Sequence, residues 1–389
     1  MDATTNSPEP HVRRGSRVPS DPAVSIIILV TKDTSRLRRC LASVDAHRPA
    51  TPVSELLVVA NGTPPEEVQW LTDRDDVVLL AANVNLGFGG GCNWAARVAA
   101  GRHLLFMNDD AAAKAGWLEE LYAAVDGETI GVAGSRVLLG NGTLQEAGGV
   151  VWRDGSTSGV GRGMDPDTPE YSIRRDVDYV SFCSAMVARE TWNAVGGFDQ
   201  RYFPAYYEDT DFCLTARQLG WRVICEPRSV VVHEEGGSTG ASFQRFLKRR
   251  NRALFVTKWA TALAGAEPSP SLTTGQRAVQ RALDRAAVAA RRGSAEESRP
   301  AVAPDRTGGG GPAQAAADGL DEVGALQRML AVTDEFTAAL TRELESPGPG
   351  SAARRVSRAV RSRAGGVLTR HPRLSHLVRT VIVSVGNRD

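Results

Sequence analysis

Cysteine is scarce in this sequence of 389 residues, with five widely spaced copies, an odd number. No pair has the spacing of a zinc or redox motif, so reduced thiols in a cytosol are expected. Long hydrophobic runs are also missing. The longest, residues 23–30, is far shorter than the roughly 18 residues that span a bilayer, and residues 1–22 lack the apolar core of a signal peptide. These absences predict a cytoplasmic protein.

A large excess of charge is absent as well. The net charge of +1 gives no global attraction to nucleic acid, and we predict no such partner. Arginine is nevertheless concentrated in residues 354–383, and a helix predicted over residues 243–259 is both basic and amphipathic. Both segments could contact the inner face of a cell membrane. Equally, the helix could pack on the protein and the tail could be a disordered arm.

Strand and helix patterns alternate along an otherwise ordinary globular composition of 42% hydrophobic and 23% charged residues. Residues 24–30 are apolar except for Ser25, which is typical of a strand buried on both faces of a parallel sheet. Further strands are predicted over residues 55–60, 76–80 and 103–107, with helices between them. This alternation predicts an α/β fold with a doubly wound sheet.

Composition divides the chain into five segments. They are a disordered arm (1–22), a globular domain (23–262), an Ala/Arg-rich segment with a Gly/Pro linker (263–318), an amphipathic helix (319–346) and a basic tail (347–389).

An acidic cluster follows the strand predicted over residues 103–107. Asn108, Asp109 and Asp110 would lie at the carboxyl end of this strand, where open α/β sheets bind ligands. Adjacent carboxylates suit a hard divalent cation, which in turn suits a diphosphate. A plain turn is the alternative, because Asn and Asp are favoured turn residues.

A second acidic pair, Glu208 and Asp209, directly follows Tyr206 and Tyr207. Aromatic neighbours could raise a carboxylate pKa and shape a pocket of the size of a sugar. Such a pair could supply a general base on a different segment from the metal ligands, or it could simply cap a helix. His233 ends a short apolar strand, where a histidine is more often structural than a ligand.

Seven motifs occur in a fixed order from residue 24 to about residue 238. They are Thr31 with Asp33, then residues 57–63, 85–93, 106–110, 195–199 and 207–211, and His233. Together they resemble the inverting family 2 glycosyltransferases with a GT-A fold, especially the rhamnosyltransferase-like bacterial branch. The resemblance implies a doubly wound, mostly parallel sheet with a smaller mixed acceptor-side sheet, followed by a helical or disordered C-terminal extension. It also implies a nucleotide-sugar half (23–110) and an acceptor half (111–262).

The resemblance also implies roles for individual residues. Asp209 matches the catalytic base of a Glu-Asp pair, with Glu208 beside it, and Asp110 and His233 match the ligands of a divalent metal, Mg²⁺ or Mn²⁺. The nucleotide-sugar would contact Thr31, Asp33, Asn61, Asn85, Gly87, Phe88, Asn108 and Asp109. The implied reaction is an inverting single displacement from a nucleoside-diphosphate sugar to a hydroxyl of a glycan or lipid-linked acceptor. Rhamnose is the branch's commonest sugar.

One position departs from the family pattern. Ala60 stands where the second strand usually ends in an Asp that contacts the nucleotide. This departure leaves open a catalytically impaired sugar- or nucleotide-binding scaffold on the same fold. A dinucleotide-binding oxidoreductase is a further alternative, because residues 87–91 mimic a glycine fingerprint. Against it, these glycines are separated from the preceding strand by a loop, and Cys92 occupies the third glycine position.

Overall fold

The computed structural model describes residues 11–32, 34–127, 129–234, 240–270, 275–295 and 321–345. Its strands are β1 (His11–Arg14), β2 (Val24–Val30), β3 (Ser54–Asn61), β4 (Val77–Ala82), β5 (His103–Asn108), β6 (Ala111–Ala113), β7 (Ile130–Leu139), β8 (Leu144–Glu146), β9 (Gly149–Val151), β10 (Thr157–Gly159), β11 (Arg175–Asp176), β12 (Ser184–Ala188) and β13 (Arg222–His233). Its helices are α1 (Thr34–His47), α2 (Pro65–Val68), α3 (Gly87–Val98), α4 (Trp117–Val125), α5 (Arg189–Val195), α6 (Glu208–Gln218), α7 (Ala241–Lys258), α8 (Ala260–Ala264), α9 (Gly275–Ala295) and α10 (Glu322–Glu345).

Among the described residues, eleven strands form one sheet in the order β1-β4-β3-β2-β5-β12-β7-β13-β11, with β8 beside β7 and β6 beside β13. The neighbours in the run β4-β3-β2-β5 are parallel, and so are β7 and β13. β12 runs antiparallel between β5 and β7. The predicted α/β fold with a large, mostly parallel sheet is confirmed. The mixed strands of the second half continue this sheet, and β9 and β10 pair separately.

Each face of the sheet carries its own hydrophobic core. Successive side chains of a strand point to opposite faces, so Ile27 of β2 packs with Trp94 of α3 on one face. Ile26 packs with Leu37 of α1 and Trp117 of α4 on the other. The apolar sequence of β2 predicts this burial on both faces. Polar residues are left for the strand ends, where the site lies.

The N-terminal segment differs from its prediction. Residues 1–22 were expected to be a disordered arm, but His11–Arg14 forms β1 and pairs antiparallel with β4 at the sheet edge. The buried carboxylate of Glu55 explains part of this, because it binds the Arg14 guanidinium at 2.9 Å. A buried charge needs such a partner, and the sequence gives no sign that Glu55 is buried. Residues 1–10 lie outside the described part of the chain.

The basic helix packs on the domain. Leu247 and Phe255 of α7 are buried, and the Asn251 amide donates to the carbonyl oxygens of Tyr202, Ala205 and Tyr206. The structure therefore favours packing over an apolar face free for a membrane. No helix within the described ranges is both long and apolar enough to cross a membrane.

The chain divides into two compact units at Val332. The first contains the sheet, and α9 occupies most of the segment predicted to be rich in Ala and Arg. The second begins at Thr333 and includes the end of α10. Residues 296–320 and 346–389, which cover most of the predicted linker and all of the basic tail, lie outside the described residues.

Candidate active site

The structure brings the two predicted metal ligands together. Asp110 lies in the turn between β5 and β6, and β6 pairs antiparallel with β13, so that Ala111 is opposite His233. The Glu234 N–H also donates to the Asp110 carbonyl oxygen at 3.0 Å. As a result, Nε2 of His233 lies 3.0 Å from Oδ1 of Asp110. The guanidinium of Arg36 is 3.6 Å from the second Asp110 oxygen, which places a positively charged side chain beside this carboxylate.

His233 is held on both ring nitrogens. Its Nδ1 is 2.8 Å from Oε1 of Gln145, and its Nε2 is 3.4 Å from the Asn108 amide nitrogen. Burial alone lowers the pKa of His233, but Cys183 and Asp110 more than offset this and raise its pKa above the usual range. Gln145 could not be identified from the sequence, because nothing in the glycine-rich stretch around it distinguishes this amide from an ordinary loop residue.

These residues fit a divalent cation. A carboxylate oxygen and an imidazole nitrogen are both ligands of divalent ions such as Mn²⁺, and those of Asp110 and His233 lie 3.0 Å apart. Within the described ranges, no group of three or more His, Cys, Asp and Glu side chains is arranged around one point. The protein would therefore supply few ligands and leave positions for phosphate oxygens and water, as is usual for Mg²⁺.

The second acidic pair opens α6 after an unusual turn. Tyr206 and Tyr207 have φ values of 80° and 78°, a left-handed conformation that costs non-glycine residues roughly 1–2 kcal/mol each. The Tyr207 hydroxyl donates to the Gly155 carbonyl oxygen at 2.9 Å, and Asn251 binds the Tyr206 carbonyl oxygen. Strain held in place by such contacts is characteristic of functional sites.

Short backbone contacts connect this pair to the metal end. The backbone N–H of Phe182 donates to the Asp209 carboxylate. The next residue, Cys183, accepts a hydrogen bond from the Asn108 N–H at 3.0 Å. The predicted base and the predicted metal motif therefore flank the same segment, which leads into β12. The order of residues in the sequence gives no sign of this connection.

Burial sets the protonation of the carboxyl groups. Burial and the charge of Asp209 raise the pKa of Glu208 to about 8, and Oε2 of Glu208 has no partner among the described residues. Burial also raises the pKa of Asp209, although hydrogen bonds from Thr210 partly offset the effect. Asp209 is less buried than Glu208, and the hydrogen bonds from Thr210 favour its ionised form, so it is the better candidate for the base.

A third carboxyl group, Glu146 of β8, was not identified from the sequence. It is 6% exposed, and its Oε1 accepts a hydrogen bond from the Ser181 N–H at 3.0 Å. Burial raises its pKa to about 7, and the nearby charge of Asp209 adds to the effect. Glu146 therefore lies close to the predicted base.

The predicted nucleotide-sugar site includes residues 85–93, here called the donor loop, and Asn61 holds the start of this loop. The Asn61 Oδ1 accepts from the Leu86 N–H at 2.8 Å, and its Nδ2 donates to Oδ1 of Asn85 and to the Gly87 carbonyl oxygen. The Phe88 N–H donates to the Pro204 carbonyl oxygen at 2.7 Å. The amide of Asn61 thus holds the loop.

Three more of the predicted nucleotide-sugar residues lie at the same edge of the sheet. Thr31 directly follows β2, Asn108 ends β5, and Asp109 lies in the turn after it. Asp33 lies outside the described residues. Ala60 has no exposed surface. Contact of all these residues with a nucleotide-sugar stays a prediction.

Part of the chain matches a known protein family. The glycosyl transferase family 2 model matches residues 25–157. The chain is 31% identical over 253 residues to an O-antigen biosynthesis protein, RfbC, of Myxococcus xanthus, covering 61% of this chain and 19% of that protein. It is 32% identical over 82 residues to an N-acetylglucosaminyl-diphospho-decaprenol L-rhamnosyltransferase of Mycobacterium tuberculosis, covering 21% of this chain and 26% of that protein. The chain thus spans about a quarter or less of the length of these relatives.

A solved structure shows the fold. The crystal structure of GalNAc-T7 with UDP, GalNAc and Mn²⁺ superposes with a TM-score of 0.51 at 15% identity, over 63% of this chain and 49% of that one. At this identity the likeness shows the fold alone, and that fold is the GT-A type. The segment that the family model matches, residues 25–157, contains the 108–110 motif, the donor loop and Glu146. Residues 25–157 of this chain therefore match the glycosyl transferase family 2 model, and the chain has the GT-A type of fold.

Proposed function

We propose that this chain is an inverting glycosyltransferase. It would move a sugar from a nucleoside-diphosphate donor to a hydroxyl group of a glycan or lipid-linked acceptor. The observation that carries the proposal is the placement of two chemically different centres on either side of residues 182–183. One is the Asp110–His233 pair, and the other is the Glu208–Asp209 pair.

The reaction needs a base and a means of stabilising the leaving diphosphate. Asp209 takes the proton of the acceptor hydroxyl. The oxygen of this hydroxyl attacks the anomeric carbon of the donor from the face opposite the diphosphate, and the bond between the anomeric carbon and the diphosphate breaks. Glu208 is neutral below a pH of about 8 and therefore adds no second negative charge near the donor. When bound, a divalent cation on Asp110 and His233 would offset the charge that develops on the leaving diphosphate. Arg36 adds a guanidinium beside Asp110.

The relatives suggest the substrates. Two of them are named as an O-antigen biosynthesis protein and as a rhamnosyltransferase that acts on a decaprenol-linked sugar. We therefore propose rhamnose as the sugar and a lipid-linked polysaccharide precursor as the acceptor. Such an acceptor would be met at the cytoplasmic face of a membrane. The apolar residues Leu247 and Phe255 of α7 are buried, so they would not insert into the membrane. The basic residues of α7 would instead assist contact by attraction to anionic lipids.

A donor screen tests the proposal. Purified protein is incubated with a lipid-linked acceptor and with dTDP-, UDP- or GDP-sugars, in Mg²⁺, Mn²⁺ or chelator, and release of the nucleoside diphosphate is followed. We expect metal-dependent turnover of one donor. If every donor fails although one binds in a metal-dependent manner, the impaired scaffold suggested by Ala60 is the better description. If reduced NAD binds instead, the oxidoreductase alternative replaces the proposal.

A further inference from the structure

Gln145 is placed to control the imidazole of His233. It lies on β8, which pairs antiparallel with β7, and it is 8% exposed. Its Oε1 is 2.8 Å from Nδ1 of His233, on the opposite side of the ring from Asp110. An amide oxygen can only accept a hydrogen bond, so Nδ1 must carry a proton to make this contact.

That contact determines which nitrogen can bind a cation. With the proton on Nδ1, the lone pair of the neutral ring lies on Nε2, and Nε2 is the atom that faces Asp110. The donor group of Asn108 approaches the same nitrogen at 3.4 Å. The Gln145 amide therefore fixes the ring orientation and the proton on Nδ1, and the proton that the Asp110 carboxylate favours on Nε2 is the one that a cation would replace.

We propose that Gln145 is a positioning residue that presents Nε2 of His233 to a divalent cation shared with Asp110. This inference rests on the proposed role of His233 as a metal ligand. Partners behind a ligating histidine fix the ring and its tautomer, and their loss typically costs 10–100-fold in metal affinity. A neutral amide also adds no charge to a region that already contains Glu146 and Asp209.

Three substitutions separate the hydrogen bond from the packing of the side chain. Gln145→Met keeps the shape and removes the acceptor, and Gln145→Asn keeps an amide that ends one methylene short of Nδ1. Gln145→Glu keeps an acceptor at the same distance. Gln69→Met, on the exposed surface, is the matched control for the substitution itself, and His233→Ala reports on the ligand.

The experiment is a titration of each full-length variant with Mn²⁺ alone, in which the paramagnetic resonance signal of free Mn²⁺ gives the affinity. We expect Gln145→Met and Gln145→Asn to bind Mn²⁺ 10–100-fold more weakly than the native protein. Gln69→Met should bind it as well as the native protein, and Gln145→Glu should bind it at least as well, because a carboxylate acceptor also raises the basicity of the ring. His233→Ala should bind at least as weakly as Gln145→Met. If Gln145→Met does not fold, Gln145→Asn decides the comparison.

Each other outcome overturns a different statement. Weak binding by His233→Ala together with normal binding by Gln145→Met and Gln145→Asn would remove the role of Gln145 and keep the ligand. Gln145→Glu binding as weakly as Gln145→Met would show that a missing acceptor is not the cause. Equal binding by His233→Ala and the native protein, or no binding by the native protein, would overturn the metal role of His233 and this inference with it.

Discussion

The carboxyl groups of Glu208 and Asp209, neighbours at the start of α6, differ in the contacts that set their pKa values: Asp209 accepts a hydrogen bond from the Thr210 N–H, and Oε2 of Glu208 has no partner among the described residues. Burial and the charge of Asp209 raise the pKa of Glu208 to about 8. Burial also raises the pKa of Asp209, but hydrogen bonds from Thr210 and from the backbone of Phe182 oppose that rise. Environments that separate two carboxyl groups in this way often assign them different catalytic roles.

The first prediction concerns Asp209. Asp209→Asn removes the base without changing the shape of the side chain, and we expect the turnover number to fall by roughly 10²–10⁴-fold. Donor affinity should be unchanged, because the proton transfer involves the acceptor. Initial rates and donor binding by calorimetry measure the two effects, with the exposed Asp73→Asn as the control. Unchanged turnover in Asp209→Asn would rule out this residue as the base.

The second prediction concerns the pH profile. Glu208 is neutral below a pH of about 8 and gains a charge above it, and that charge repels the diphosphate of the donor. We therefore expect kcat/KM of the native enzyme to decline above about pH 8, and Glu208→Gln to retain activity at pH 7 without this decline. A rate profile from pH 5 to 10 tests both points. A variant that is inactive at pH 7 would contradict a neutral role for Glu208.

The third prediction concerns the metal. Chelation should abolish turnover, Mn²⁺ or Mg²⁺ should restore it, and Asp110→Ala should lose it at any metal concentration, because the carboxylate is a proposed ligand. The chain offers a matched control at the other end of β5. There His103 and Asp126 form a second pair at 3.3 Å, and His103→Gln should leave the metal dependence intact. Turnover that persists in excess chelator would contradict the proposal.

The strands that carry the site could be predicted from the sequence, because burial on both faces requires the continuous apolar runs seen in β2 and β3. The edge where Asn108 and Asp110 lie follows from the same pattern, since parallel strands end together. The position of His233 beside Asp110 depends on the pairing of β13 with β6, which no local pattern shows.

Other parts of the site run against local preference. Tyr206 and Tyr207 adopt left-handed φ values that bulky residues seldom take, so their sequence predicts a different turn. Gln145 and Glu146 lie in a stretch whose many glycines and polar residues are typical of hairpins and loops. Short strands do form there, but both side chains are buried. Tertiary contacts, rather than local composition, decide the structure in these places.

The fourth prediction links Glu146 to stability. Its pKa rises from 4.5 when unfolded to about 7 when folded, so the folded protein holds one more proton than the unfolded chain between these values. Stability is therefore greatest below pH 4.5 with respect to this group and is lost as the pH rises to 7, by about 3 kcal/mol. Glu146→Gln should lack this loss. The free energies of unfolding of both proteins are measured with denaturant at pH 5 and pH 8. Between these pH values the stability of Glu146→Gln should rise relative to that of the native protein. An equal change in both proteins would contradict the burial of this charge.

The fifth prediction concerns the donor loop. Gly87 has a φ of 74°, and a Cβ there would lie 2.7 Å from the Phe203 ring and 3.0 Å from the Pro204 carbonyl oxygen. Gly87→Ala should therefore destabilise the protein by about 1–3 kcal/mol and weaken donor binding, because the Asn61 amide holds this loop through the Gly87 carbonyl oxygen. Gly127→Ala, where nothing lies within 4 Å, should change stability by less than about 0.5 kcal/mol. Equal melting temperatures and donor affinities for the two variants would mean that the loop does not depend on the conformation of Gly87.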